Sequence, residues 1–304
     1  MKYELWNRRD VLNATIALGL APSLSFSESE KMLTRPIPGT DESIPVVGLG
    51  TWEVFDVTGS QEEIAARKEI IDQLVARGGS LIDSSPMYNR SEKIVGDIIT
   101  ASGNRSDLFL ATKVWTNGRS RGESQMRESI DLMNAGVIDL MQVHNLRDVA
   151  VHMATIREWQ QEGRIRYNGI THYSASAHRS MESAMREYRP QFIQINYSLG
   201  EREADKRVLP LAQELGIAVL INRPFMEGRL FSAVRGRELP EWATDFARSW
   251  AQFFLKFIVS HPAVTCVIPA TSKPNHMADN LGAGFGMLPD ASIRQKMSAF
   301  WDSL

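Results

Sequence analysis

From Ser43 onward, short apolar runs alternate with longer stretches whose apolar residues recur at helical spacing. Ile44-Pro45-Val46-Val47-Gly48-Leu49 reads as a first strand. Ser60-x-x-Glu63 has the form of a capping box, in which serine and glutamate side chains satisfy open backbone N–H groups at a helix start. Ile64, Ile71, Leu74 and Val75 fall on one face of that helix, and Gly78-Gly79 ends it. The same reading predicts strands over 80–82, 108–112, 137–143, 165–170, 191–195, 217–221 and 264–268. Helices are predicted near 91–101, 121–135, 149–162, 177–187, 204–215, 242–259 and 275–283. A last amphipathic helix within 288–304 runs through Ile293, Met297, Phe300 and Trp301.

Strands that are apolar on both faces and separated by helices predict a parallel sheet covered on both sides. Eight such units in about 260 residues predict an α/β chain folded as a (β/α)8 TIM barrel over 36–304. A doubly wound open sheet would place a glycine-rich phosphate loop after the first strand. Gly48-Leu49-Gly50 lacks the third glycine, and Thr51-Trp52 stands where a helix would open. So little chain follows the last barrel helix that an open pocket is expected.

Composition narrows the function classes. Of the 304 residues, 43% are hydrophobic, too many for a disordered chain. A net charge of −2 gives no reason to expect nucleic-acid binding. The single cysteine, Cys266, excludes an internal disulfide and a cysteine-rich zinc site. No His-Glu-x-x-His or Gly-x-Ser-x-Gly occurs, so no metal is expected and a serine hydrolase is disfavoured.

The first thirty residues are set apart from the barrel. Asn7-Arg8-Arg9-Asp10 precedes the apolar stretch 14–21, which is the layout of an export signal. That stretch is far below the ~18 residues of a spanning helix, so no stable membrane span is expected. The segment resembles a twin-arginine signal, with Val11 where Phe is usual and Asn13 where Lys is usual. The resemblance implies export machinery as a partner and a periplasmic or exported location. An amphipathic helix docked on the domain is the alternative, and a vestigial signal would leave the protein cytoplasmic.

Barrel enzymes build their sites at the C-terminal ends of the strands. Asp83 ends the second predicted strand, with Tyr88 five residues on; Lys113 ends the third, and His144 the fourth. A phenol is a poor acid at neutral pH. A neighbouring ammonium is expected to lower its pKa, and a carboxylate to hold the ammonium in place. Tyr88 then passes a proton to an oxygen gaining negative charge, which His144 orients. A carbonyl accepting hydride needs such a site, and the hydride must come from a nicotinamide cofactor.

Gly48-Leu49-Gly50-Thr51-Trp52, Leu81-Ile82-Asp83-Ser84-Ser85-Pro86-Met87-Tyr88, Thr112-Lys113-Val114 and Gln142-Val143-His144-Asn145 resemble the aldo/keto reductases in order and spacing. The resemblance implies a catalytic tetrad of Asp83, Tyr88, Lys113 and His144, with NADPH across the barrel top. Gly50, Thr51, Trp52 and Asp83 fall at cofactor positions. Thr171-His172 stands where the family usually has Ser-Asn for the carboxamide, and Gln194 matches the usual Gln. Asn222-Arg223-Pro224 replaces the common Tyr-Ser-Pro, so Tyr197 or Phe225 would supply the ring that stacks on nicotinamide. Ser272, Lys273, His276, Asp279 and Asn280 correspond to the adenosine-phosphate segment, and Lys273 favours NADPH over NADH by charge pairing. Trp52, Trp115 and Asn145 are expected at the pocket for a small-molecule carbonyl substrate. Two other classes stay open: a nicotinamide-binding redox sensor or partner subunit with little turnover, and a non-redox barrel enzyme such as a lyase.

Overall fold

The computed structural model describes residues 31–304. The expected export signal lies outside them. The described residues open with two short strands, β1 (Thr34–Pro36) and β2 (Ser43–Pro45), paired antiparallel. The barrel strands follow: β3 (Leu49–Gly50), β4 (Leu81–Asp83), β5 (Phe109–Val114), β6 (Ile138–His144), β7 (Ile165–Thr171), β8 (Phe192–Asn196), β9 (Ala218–Asn222) and β10 (Cys266–Val267). Each pairs in parallel with its sequence neighbour, in unbroken order from β3 to β10. Gly48 N–H donates to Val267 O at 2.8 Å and Gly50 N–H to Pro269 O at 3.1 Å, joining β10 back to β3. The eight-stranded parallel barrel expected from the pattern is therefore present.

Helices α1 (Gln61–Ala76), α2 (Ser91–Ser102), α3 (Arg119–Leu132), α4 (Val149–Gln161), α5 (His178–Tyr188) and α6 (Val208–Leu215) surround it. A five-residue α7 (Arg229–Ala233), then α8 (Trp250–Val259), α9 (Pro274–Leu281) and α10 (Ala291–Asp302), complete the shell. Both halves of the Ser60–Glu63 capping box form. Among the described residues, no helix is long and apolar enough to cross a membrane.

Two apolar cores hold the barrel. The larger lies between strands and helices. The smaller fills the interior and includes Phe109, Leu140, Tyr167, Phe192, Leu220 and Cys266. Ile37 and Ile44 join it from the β1–β2 hairpin, which plugs the N-terminal end. Arg166 fastens that plug by pairing with Glu42.

Three expectations differ in detail. The apolar run 44–49 is one stretch in sequence but two elements, because hairpin and barrel strand are both buried. The helix expected over 204–215 starts only at Val208. Pro210 has no N–H and its ring would clash one turn back, so it is tolerated only in a first turn. The helix expected over 242–259 starts at Trp250, where the Ser249 hydroxyl accepts from Gln252 N–H at 3.1 Å and caps it.

Candidate functional site

The C-terminal ends of the strands surround a cleft of about 920 Å³. Most non-glycine residues with positive φ lie in the loops at this face: Glu53, Asn89, Asn145, Leu146, Asp148, Arg223, Met226 and Glu227. Left-handed backbone costs energy for such residues, and its concentration at one face marks the region as specialised.

A buried polar layer floors the cleft. Asp83 Oδ2 accepts from Lys113 Nζ at 2.6 Å. Its Oδ1 accepts from Gln142 Nε2 at 3.0 Å and Gln194 Nε2 at 2.8 Å. Lys113 Nζ also donates to Ser84 O at 2.6 Å, and the residue is wholly buried. Isolated, either charge would be costly there; each is paired and multiply hydrogen-bonded. Tyr88 lies over this pair, with Lys113 Nζ 5.0 Å from its ring centroid. The His144 ring stands edge-on to Tyr88 at 6.1 Å.

The electrostatics follow from burial and charge. Burial disfavours the Lys113 charge, but Asp83 and Tyr88 more than offset it and hold the ammonium above its usual pKa. Burial raises the Tyr88 phenol; Lys113 pulls it down and Asp83 pushes it up, leaving it above its usual value. The lowering expected from Lys113 is therefore real but smaller than the desolvation. Burial, helped by the Lys113 and His172 charges, pushes His144 down to about 3, so its imidazole is neutral at pH 7. The site combines a neutral phenol, a neutral imidazole and a fixed ammonium–carboxylate pair.

The structure brings together most of the residues expected from sequence. Asp83, Tyr88 and His144 line the cleft, with Lys113 directly beneath. Gly50, Thr51, Trp52, Thr171, Gln194, Asn222 and Arg223 line it, as do Asn145, His276, Asp279 and Asn280. Asp279 also accepts from Ser249 Oγ and Gln252 Nε2, both at 2.8 Å.

Others lie elsewhere. Trp115 is not part of the cleft lining; it is covered by the Arg147 guanidinium, 4.5 Å from its ring. His172 is outside the lining, stacked on Tyr173 and accepting from Ser174 N–H at 3.2 Å. Ser272 and Lys273 are also outside it, with Lys273 exposed at the cap of α9. Tyr197 cannot supply a stacking ring: it is fully buried, stacked on Phe257 and bonded to Asp205 at 3.0 Å. Phe225 does line the cleft.

Three residues not expected there, Tyr173, Phe231 and Trp250, also line it. The roles of Glu92, Ser85 and Gln142 were not expected either. Gln142 lies two residues before His144 on β6, so the period-two alternation of a strand turns both to the same side. That signal was available.

A model of the Aldo/keto reductase family matches residues 46–299. The chain is 28% identical over 249 residues to the methylglyoxal reductase YeaE of Escherichia coli, covering 79% of this chain and 85% of that protein. It is 25% identical over 291 residues to the aldo-keto reductase str7 of Strobilurus tenacellus, covering 83% and 85%. Its fold is similar to that of an aldo/keto reductase from Klebsiella pneumoniae in complex with NADP and acetate: TM-score 0.74, 23% identity, 90% of this chain and 95% of the other.

Proposed function

The chain belongs to the aldo/keto reductase family, and from that premise we propose that it reduces an aldehyde or ketone with NADPH. The same site serves the reverse oxidation of an alcohol. The observation that carries this reading is the half-buried Tyr88 at the cleft, lying over the Lys113–Asp83 pair beside a neutral His144.

The residues present suit a nicotinamide nucleotide. Asn222 Oδ1, Asn145 Oδ1 and Arg223 Nε are buried polar atoms in cleft-lining residues with no hydrogen-bond partner. A carboxamide, ribose and phosphates offer the partners that such atoms lack. Thr171, Gln194 and Asn222 would face the nicotinamide end, and His276, Asp279 and Asn280 the adenosine end. Bound there, the nicotinamide supplies the hydride. Tyr88 gives its proton to the carbonyl oxygen, and Lys113 stabilises the phenolate left behind. Asp83, Gln142 and Gln194 hold the ammonium in place. His144 orients the same oxygen. Lys273, exposed at the N-cap of α9 outside the cleft lining, would reach a 2′-phosphate only beyond the lining and would there favour NADPH by charge pairing.

The test is Tyr88→Phe, assayed for carbonyl reduction and for NADPH binding by fluorescence titration. Turnover should fall by roughly 10²-fold or more while the NADPH dissociation constant holds. Near wild-type reduction by the variant refutes the mechanism.

We further propose that residues 1–30 are a twin-arginine-type export signal and that 36–304 form the working barrel, exported already folded. Arg8-Arg9 ahead of the short apolar run supports this. Cell fractionation, with assay of the recovered protein for bound nucleotide, tests it. Protein found only in the cytoplasm overturns the proposal.

A further inference from the structure

We propose that Ser85 is a positioning residue that fixes the tautomer of His144, leaving the Nε2–H free to donate into the cleft. The inference rests on the carbonyl-reduction reading only for its catalytic consequence; the tautomer itself stands on geometry.

Ser85 is fully buried, two residues after Asp83 and three before Tyr88. Its Oγ lies 3.1 Å from His144 Nδ1. The same oxygen accepts from Met87 N–H at 3.2 Å. Tyr88 N–H donates to Ser85 O at 2.9 Å, so one tight turn aims both the Ser85 hydroxyl and the Tyr88 ring.

A serine hydroxyl has one hydrogen to give and two lone pairs to fill. Met87 fills one lone pair. If His144 carried its proton on Nδ1, that proton would fill the second. The hydroxyl hydrogen would then be left in a fully buried side chain with no acceptor, which is costly. If instead Nδ1 is bare, it accepts the hydroxyl hydrogen and every group is satisfied. Burial and the neighbouring Lys113 keep the ring neutral, so the single ring proton must be on the other nitrogen. No hydrogen bond among the described residues uses Nε2, and His144 lines the cleft. The neutral Nε2–H is then a donor poised for an oxygen. The opposite tautomer would present a lone pair there and repel the same oxygen. Imidazole orientation by a hydrogen bond at the far ring nitrogen is a general device in sites of this kind.

The experiment uses the full chain labelled with ¹⁵N-histidine and two-bond ¹H–¹⁵N correlation spectra at neutral pH, with His144→Asn to assign the resonance. In the wild type, Nδ1 should resonate as a bare acceptor and Nε2 as the protonated nitrogen. In Ser85→Ala both tautomers should be populated, kcat should fall roughly tenfold, and the NADPH dissociation constant should stay within about twofold. A wild-type His144 protonated on Nδ1 overturns the proposal. So does a Ser85→Ala protein that keeps a single Nε2–H tautomer, or one whose tautomer shifts with kcat unchanged. Failure of the reductase reading would show instead as retained turnover in Tyr88→Phe, with the spectra of the wild type unaffected.

Discussion

Glu92 gives the sharpest thermodynamic prediction. It lies in the first turn of α2, four residues after Tyr88, and is 1% exposed. Its carboxyl accepts from Thr112 Oγ1 and from Ser129 Oγ. Burial raises its pKa from 4.5 to about 7, against the lowering by Thr112, Ser129 and Lys113. The folded protein therefore holds this proton more tightly than the unfolded chain. The stability so gained is fully present below about pH 4.5 and is lost as pH rises through about 7. At about 1.4 kcal/mol per pH unit, that interval is worth roughly 3 kcal/mol. Glu92→Gln cannot titrate, so its stability relative to wild type should climb by roughly 3 kcal/mol between pH 4 and 8. The comparison must be a difference, because buried histidines oppose it. Burial pushes His144 to about 3 and His261 to about 4. Each adds stability as pH rises toward 6.5, in both proteins alike, and cancels. Urea unfolding at several pH values measures the difference, and any fixed cost of the amide appears as an offset. A difference constant to within about 0.5 kcal/mol across the range would refute the reasoning.

Two further perturbations probe the frame. Gly96→Ala should destabilise by about 2 kcal/mol or more, although alanine is the better helix former, because its Cβ would lie 2.0 Å from Leu132 O where α2 meets α3; a rise in Tm would contradict this. Asp139→Ala should cost about 3 kcal/mol in urea unfolding. It strips a buried carboxylate from Leu110 N–H at 2.8 Å, Arg105 at 3.0 Å and Arg166 at 2.6 Å. NADPH affinity should be unchanged, because this network lies at the plugged end of the barrel, and a loss of binding would show the two ends to be coupled.

The barrel was legible because each strand is apolar on both faces and each helix on one, and that contrast survives in a single sequence. Asp83, Lys113 and His144 were legible because ionisable groups at the ends of apolar strands are unusual, and Tyr88 by its place in the loop that follows Asp83. What stayed hidden depended on direction in space. Trp115 and Trp52 both follow strands, yet one turns beneath Arg147 and the other lines the cleft. Trp250 falls inside the helix expected over 242–259, but the Ser249 cap starts α8 at the cleft edge and sets Trp250 in the lining. The balance at Tyr88 was equally hidden: the sign of the Lys113 effect follows from charge, whereas the larger desolvation depends on how deeply the ring is enclosed.

Glu92 and Lys113 also show how one strand serves two purposes. On β5 successive side chains point to opposite faces. Lys113 points into the barrel to Asp83, and Thr112 points out to Glu92. Glu92 sits on the helix that follows the Tyr88 loop, so its bond to Thr112 ties the element after Tyr88 to the strand bearing Lys113. The buried layer that results is close to electroneutral. Asp83 offsets Lys113, Tyr88 and His144 are neutral at pH 7, and Glu92 is near its midpoint. Such a layer keeps the desolvation cost of folding low. It also means that charge growing on an oxygen above Tyr88 meets no fully ionised unpaired anion in that layer, only the half-ionised Glu92 on the outer side of β5, so the Lys113 ammonium acts on it in a low-dielectric setting. Replacing Asp83 by Asn would upset that balance at both levels, leaving Lys113 as a buried unpaired cation beneath the phenol.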